Sequence, residues 1–147
     1  MSLSWWNFTA FLPTYGNYGG IDYSGGEHLT PWKQPDYSVP AVDPLDSLFK
    51  AHDLASEASS SLLRAEGDLA LLKGIDNLPD GTLTSQGHLW AGVATLAMIA
   101  DIAVRQGHAE LLSLADSVQY GTEAFEHIAA SGIPPLGFVA ADGFFQI

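Results

Sequence analysis

The segment "PAVDPLDSLFKAHDLA", residues 40–55, places His52 and Asp53 side by side. Neighbours on an α-helix point about 100° apart. Such a pair can serve two adjacent centres. The imidazole can take a proton near neutral pH, and the carboxylate suits a hard divalent cation. Upstream lies "YGNYGGIDYSGG", residues 15–26, with five glycines. Glycine lets a loop adopt left-handed conformations and turn carbonyl oxygens inward, as a cation loop must. The sequence poses a choice between a solvated helix face and a metal centre with a base beside it.

Those residues need elements to position them. Residues 1–42 are rich in Gly, Pro, Tyr and Trp with almost no helical period, which reads as loops held by aromatic packing. From Asp43 the pattern turns helical. Asp43 is a good N-cap and Pro44 suits the first turn. Leu45, Leu48, Phe49, His52, Ala55, Leu62, Ala65 and Leu69 then recur at helical spacing. The pattern predicts helices over 43–73, 84–106 and 109–130, with Gly67 a weak point in the first and an apolar tail over 131–147. "GIDNLPDG", residues 74–81, is the turn between the first two. The expected fold is mainly α and forms one domain, 1–147. It comprises a glycine- and aromatic-rich N-terminal loop, two long antiparallel helices and a third helix.

In an antiparallel hairpin, residues equidistant from the turn face each other. With the turn centred between residues 77 and 78, His52 faces the neighbourhood of residue 103, within half a turn of Asp101. Asp101 is the sole acid of the second predicted helix, among Met98, Ile99, Ile102 and Val104. There it is costly to bury unpaired. A histidine opposite is its natural partner; the alternative is a polar stripe facing solvent.

Composition narrows the function classes. At 147 residues and 47% hydrophobic content the chain can bury a real core. A net charge of −12 with five Lys and Arg disfavours nucleic acid and anionic lipid, but not a neutral or micellar lipid interface. Without cysteine there is neither a disulfide nor a thiolate zinc site. The N-terminus "MSLSWWNFTAFLP" has no basic region before its apolar residues, so no signal peptide is expected. Asp101 interrupts the longest apolar run, "LAMIADIAV", so no membrane-spanning segment is expected. Synthesis and storage in the cytoplasm, with delivery elsewhere, fit these features. No G-x-S-x-G elbow supports a serine esterase.

"AVDPLDSLFKAHD" resembles the catalytic helix of the secreted phospholipases A2, V-D-x-L-D-x-C-C-x-x-H-D. Val42, Asp43, Leu45, Asp46, His52 and Asp53 match in register. "YGNYGGIDYSGG" is similar to that family's calcium loop and looks closest to the plant type, through Tyr15, Gly16, Tyr18, Gly20, Tyr23, Ser24 and Gly25. Asp101 falls where the family has its helix-two aspartate. The resemblance implies a calcium ion held by the Asp53 carboxylate and the carbonyls of Tyr18, Gly20 and either Asp22 or Tyr23, with the Asp22 side chain as an extra acid. It implies His52 as general base, Asp101 orienting it, and the Gly20 N–H as a second oxyanion donor. The implied reaction is hydrolysis of the sn-2 ester of a glycerophospholipid.

The departures are specific. Family cysteine positions hold Asn17, Gly19, Leu48, Phe49, Ala55 and Ala100. A family disulfide joins the last two positions, which implies that Ala55 and Ala100 touch. Ser56 replaces a family tyrosine, and the stretch between loop and helix is longer. The first reading is therefore a calcium-dependent lipid hydrolase acting on phospholipid. The second is a non-catalytic calcium- or fatty-acid-binding module, and the third a helical domain without metal. Trp5, Trp6, Phe8 and Phe11 suit either an interfacial surface or acyl channel, or a cover over the helices. His28, His88, His108 and His127 lack metal-ligand spacing and read as surface or capping residues.

Overall fold

Each helix begins at a residue whose side chain satisfies a free backbone N–H. Asp43, Ser60, Thr84 and Ser113 accept from the N–H three residues on, at Asp46, Leu63, Gly87 and Asp116. Such caps contribute about 1 kcal/mol each. The computed structural model describes residues 13–30 and 32–132, in which these caps start four α-helices. They are α1 (Pro44–Ala55), α2 (Ser61–Asp76), α3 (Ser85–Ala100) and α4 (Leu114–Ala130). Trp5, Trp6, Phe8, Phe11 and the tail from residue 133 lie outside the described residues. A small antiparallel hairpin precedes the helices, β1 (Tyr23–Ser24) paired with β2 (Glu27–His28). Its two-residue turn needs positive φ twice, and Gly25 and Gly26 supply it at 64° and 80°.

The predicted helix 43–73 is two helices. The chain breaks over residues 56–60, "SEASS". Ser56 Oγ donates back to His52 O at 2.8 Å, a bond that competes with helix continuation. Ser60 caps the next helix, so the Ser59–Ser61 run is a helix start. α2 then folds back antiparallel along α1. A Cβ added to Gly67 would lie 2.6 Å from Ala55 Cβ, and one on Gly74 would lie 2.6 Å from Leu48 Cδ2. Gly67 is thus a point of close helix approach, as is Gly74, not a weak point.

α3 packs antiparallel to α4, runs antiparallel to α2 as the Arg64–Gln106 contact shows, and continues beyond Ala100 as a π-helical turn, Asp101–Arg105. The stretch Ser85–Arg105 is 21 residues, long and apolar enough to cross a membrane by length and composition. That differs from the sequence expectation, because one aspartate does not interrupt the helix. Here the stretch packs against α2 and α4. The third predicted helix is a 3₁₀ turn, Ala109–Leu111, followed by α4 behind its own Ser113–Asp116 capping box. α4 crosses α3 closely at Gly92, where a Cβ would lie 2.6 Å from Ala124 O.

The core explains the aromatic loop. Tyr15, Tyr18, Leu45, Phe49, Leu71, Ile75 and Ala91 form one buried cluster joining the loop to α1, α2 and α3. Tyr15 meets Phe49 edge-on at 6.0 Å between ring centres and Trp90 at 6.1 Å.

Candidate functional site

His52, near the C-terminal end of α1, has its Nε2 2.7 Å from Asp68 Oδ1 of α2. Asp68 is 2% exposed. With Asp68 ionised and the imidazole neutral, Nε2 carries the proton and Nδ1 keeps a lone pair. The predicted partner was Asp101, and the structure corrects this. Asp101 Oδ2 lies 3.5 Å from Arg105 Nη1 instead. The reason is the break at 56–60. His52–Asp68, Ala55–Gly67 and Leu48–Gly74 are all nearly symmetric about Ser60–Ser61. The hairpin rule therefore applies, but to the α1–α2 turn. Ala55 accordingly packs on Gly67, where contact with Ala100 was expected, and Ala100 is exposed.

Asp53, the next residue, has its Oδ2 2.8 Å from the buried Ser24 Oγ, which donates to it. Burial pushes the Asp53 carboxyl up from 3.8 to about 6, against the opposing pull of the Ser24 hydrogen bond and the neighbouring His52. A carboxylate held out of water with one hydroxyl donor is short of positive charge.

The glycine loop is fixed to α1 by Asp46, which is fully buried. Its Oδ1 accepts from Tyr18 N at 2.8 Å, and its Oδ2 accepts from Asn17 N at 2.9 Å and Val42 N at 3.0 Å. A side chain at Gly16 would collide with this carboxylate, its Cβ 2.6 Å from either oxygen, and φ there is +56°. Tyr15 and Gly19 close the loop by paired backbone bonds of 2.7 and 2.8 Å. Tyr15 OH donates to the cap residue Asp43, and Tyr23 OH donates to Gly16 O at 2.8 Å. Asp46 therefore takes two of its three bonds from the loop and the third from Val42, just before the helix cap.

The oxygens left over bear on a cation. Among the described residues, the carbonyls of Tyr18 and Gly20 accept no hydrogen bond. The Asp22 carbonyl is taken by Leu29 N at 2.7 Å. Antiparallel ladders alternate bonded and non-bonded pairs, so Tyr23, opposite His28, turns its carbonyl away from the hairpin partner. The Asp22 side chain belongs to an exposed residue at φ +50°. No group of three or more His, Cys, Asp or Glu among the described residues could hold a metal. An ion here would depend on backbone carbonyls plus one carboxylate. That donor set is all oxygen and suits calcium rather than zinc.

His52 and Asp53 line one cavity of about 430 Å³ with Tyr18 and Gly20 of the loop. Its remaining wall is apolar: Pro13, Ile21, Phe49 and Leu71, with Trp90, Val93, Ala94, Ala97 and Met98 of α3. A second cavity, about 380 Å³, lies at the other end of α2 beside Asp76, Glu123, Glu126, His88 and His127. His88 and His127 are not isolated surface residues, since their Nδ1 atoms lie 2.9 Å apart and join α3 to α4. Burial, then the neighbouring His88, holds His127 below the usual imidazole range. His108 is also engaged, at 3.0 Å from Ser61 Oγ and 2.7 Å from Glu110. His28 packs against the Tyr23 ring at 5.1 Å between ring centres.

Sequence reasoning missed Asp68. The one signal was spacing, since Asp68 falls on the same helical face as Ala65, Leu72 and Ile75, all of which are buried in the fold. Comparison of the chain with protein-family models, curated proteins and solved structures finds no match.

Proposed function

We propose that the chain is a phospholipase A2-like, calcium-dependent hydrolase of the sn-2 ester of glycerophospholipids. The observation that carries this reading is one arrangement. His52, held from behind by Asp68, and the half-buried Asp53 carboxylate line a single apolar cavity bordered by the glycine loop. Asp68 holds the His52 tautomer through Nε2, so Nδ1 can take a proton from a water molecule. The apolar wall offers an acyl chain a place out of water beside that base. The Gly20 N–H donates to no described acceptor and can meet the developing oxyanion. Calcium, held by Asp53 and the carbonyls of Tyr18, Gly20 and Tyr23, would polarise the ester carbonyl. Asp68 takes the orienting role first expected of Asp101.

A second reading is a non-catalytic calcium- or lipid-binding module on the same scaffold. Ser56 favours it: its hydroxyl bonds His52 O, so no hydroxyl at this position restrains the orienting carboxylate. His52→Gln separates the two readings. In a hydrolase the variant keeps calcium and lipid binding and loses turnover about 10²–10⁴-fold. A wild type that binds both and cleaves no micellar phospholipid establishes the binding module instead.

A further inference from the structure

Only one oxygen of Asp68 is used. Oδ1 meets His52, whereas Oδ2 is buried and has no hydrogen-bond partner among the described residues. A buried carboxylate oxygen without a donor is costly and leaves the group free to rock about the bond it does make.

The register across α2 shows what lies opposite. Arg64 Nε donates to Gln106 Oε1 at 3.1 Å, and Ser61 Oγ pairs with His108 Nε2 at 3.0 Å. These contacts run antiparallel. One helical turn forward from Arg64 is Asp68; one turn back from Gln106 are Asp101 and Ile102. Ile102 is fully buried, and the Asp101 side chain keeps 23% of its exposure. Asp101 also opens the π-helical turn, a local widening that departs from the regular helix at this point. Burial first, then the charge of Asp68, holds the Asp101 carboxyl above the usual carboxylate range; Arg105 and His52 pull it back. The other charged groups at this interface are engaged elsewhere, Arg64 with Gln106 and Ala58 O, and His108 with Ser61 and Glu110.

We infer that Asp101 is a positioning residue: in its protonated form it donates to Asp68 Oδ2, directly or through one water, and so fixes the carboxylate that orients His52. Two carboxyl groups that share one proton form a bond neither makes alone. The line Arg105–Asp101–Asp68–His52 then runs from the surface to the cavity. The Ser56 hydroxyl is spent on the backbone, and Asp101 supplies the second restraint from the opposite side. The catalytic consequence rests on the proposed hydrolase reading, while the carboxyl pair itself does not.

The test uses the full chain, free of metal and substrate. The side-chain carboxyl of Asp101 is followed by carbon NMR across pH, in wild type and in Asp68→Asn. The expected result is an Asp101 midpoint above the ordinary carboxylate range in wild type that moves down in the variant. An unchanged midpoint overturns the pairing. Asp101→Leu gives a second reading that spares the buried residue. On mixed phospholipid micelles kcat falls about tenfold, the worth of one hydrogen bond to a charged group, with KM unchanged. Asp101→Asn recovers most of that loss, because its amide can donate to the same oxygen. Equal kcat in wild type and Asp101→Leu overturns the inference. Absence of hydrolysis in wild type overturns the enzyme reading instead, and the NMR titration still decides the pairing.

Discussion

Removing the charge of Asp53 should make the metal-free protein more stable and insensitive to calcium. Burial raises this carboxyl from 3.8 to about 6. With the folded pKa above the unfolded one, the folded state keeps a proton that the unfolded chain has released. Stability from this group is therefore fully present below about pH 4 and is lost as pH rises through about 6. A shift of about two units corresponds to about 3 kcal/mol at full weight. The carboxyl remains partly open to solvent, which reduces the net penalty at pH 7 to about 1–2 kcal/mol. An asparagine side chain at this position would be neutral and could still accept from Ser24. In chelator at pH 7, Asp53→Asn should therefore melt about 3–8 °C above wild type, and the difference should vanish near pH 4. Added calcium should raise the wild-type midpoint by mass action and leave the variant unmoved. Calorimetric melts between pH 4 and 7.5, with chelator and with calcium, read both effects. A variant no more stable than wild type in chelator, or one that gains as much from calcium, refutes the reasoning.

Three further substitutions probe the supports. Gly67→Ala should cost about 1–3 kcal/mol in urea unfolding, because its Cβ would lie 2.6 Å from Ala55 Cβ and must push α1 off α2; a neutral result would place the close approach elsewhere. Asp46→Ala strands the N–H groups of Asn17, Tyr18 and Val42 and should destabilise by about 2–4 kcal/mol while weakening calcium binding. Unchanged calcium affinity by titration calorimetry would separate the loop anchor from the metal. Asp68→Ala should lower turnover about 10²–10⁴-fold with calcium affinity retained, since it frees the His52 ring without touching Asp53; wild-type turnover in this variant would remove Asp68 from the orienting role.

Much of the architecture was written in local chemistry. The Asp43 cap, Pro44 at the first turn and the helical spacing of Leu45, Leu48 and Phe49 specify α1 without tertiary help. The positive-φ turn at Gly25 and Gly26 is equally local, although the hairpin itself was not anticipated. What escaped was the break at 56–60. Ser56, Glu57 and Ala58 tolerate a helix, and apolar spacing resumes at Leu62, so the sequence pattern carries across a turn that backbone-bonding serines make. That one error moved the partner of His52. On a continuous helix Asp68 lies more than four turns from His52 and cannot touch it. With the chain folded back it lies opposite. Asp101 drew attention as the sole acid of an apolar helix; α2 also carries Glu66 and Asp76, so that rule does not single out Asp68, and only its helical spacing with Ala65, Leu72 and Ile75 does. The role of Gly67 was also hidden, because propensity marks a helical glycine as weak, whereas here the absence of a Cβ lets α2 pack closely on Ala55 of α1.

The central claim is that one cavity joins a base, held from behind by its orienting carboxylate, to a calcium ligand for ester hydrolysis. The most direct measurement is acyl release from mixed micelles of a phospholipid carrying different chains at its two positions, with and without calcium. The account predicts that wild type releases the sn-2 chain with calcium and none with chelator, and that His52→Gln releases about 10²–10⁴-fold less. Release from sn-1, release independent of calcium, or equal release by His52→Gln would contradict it.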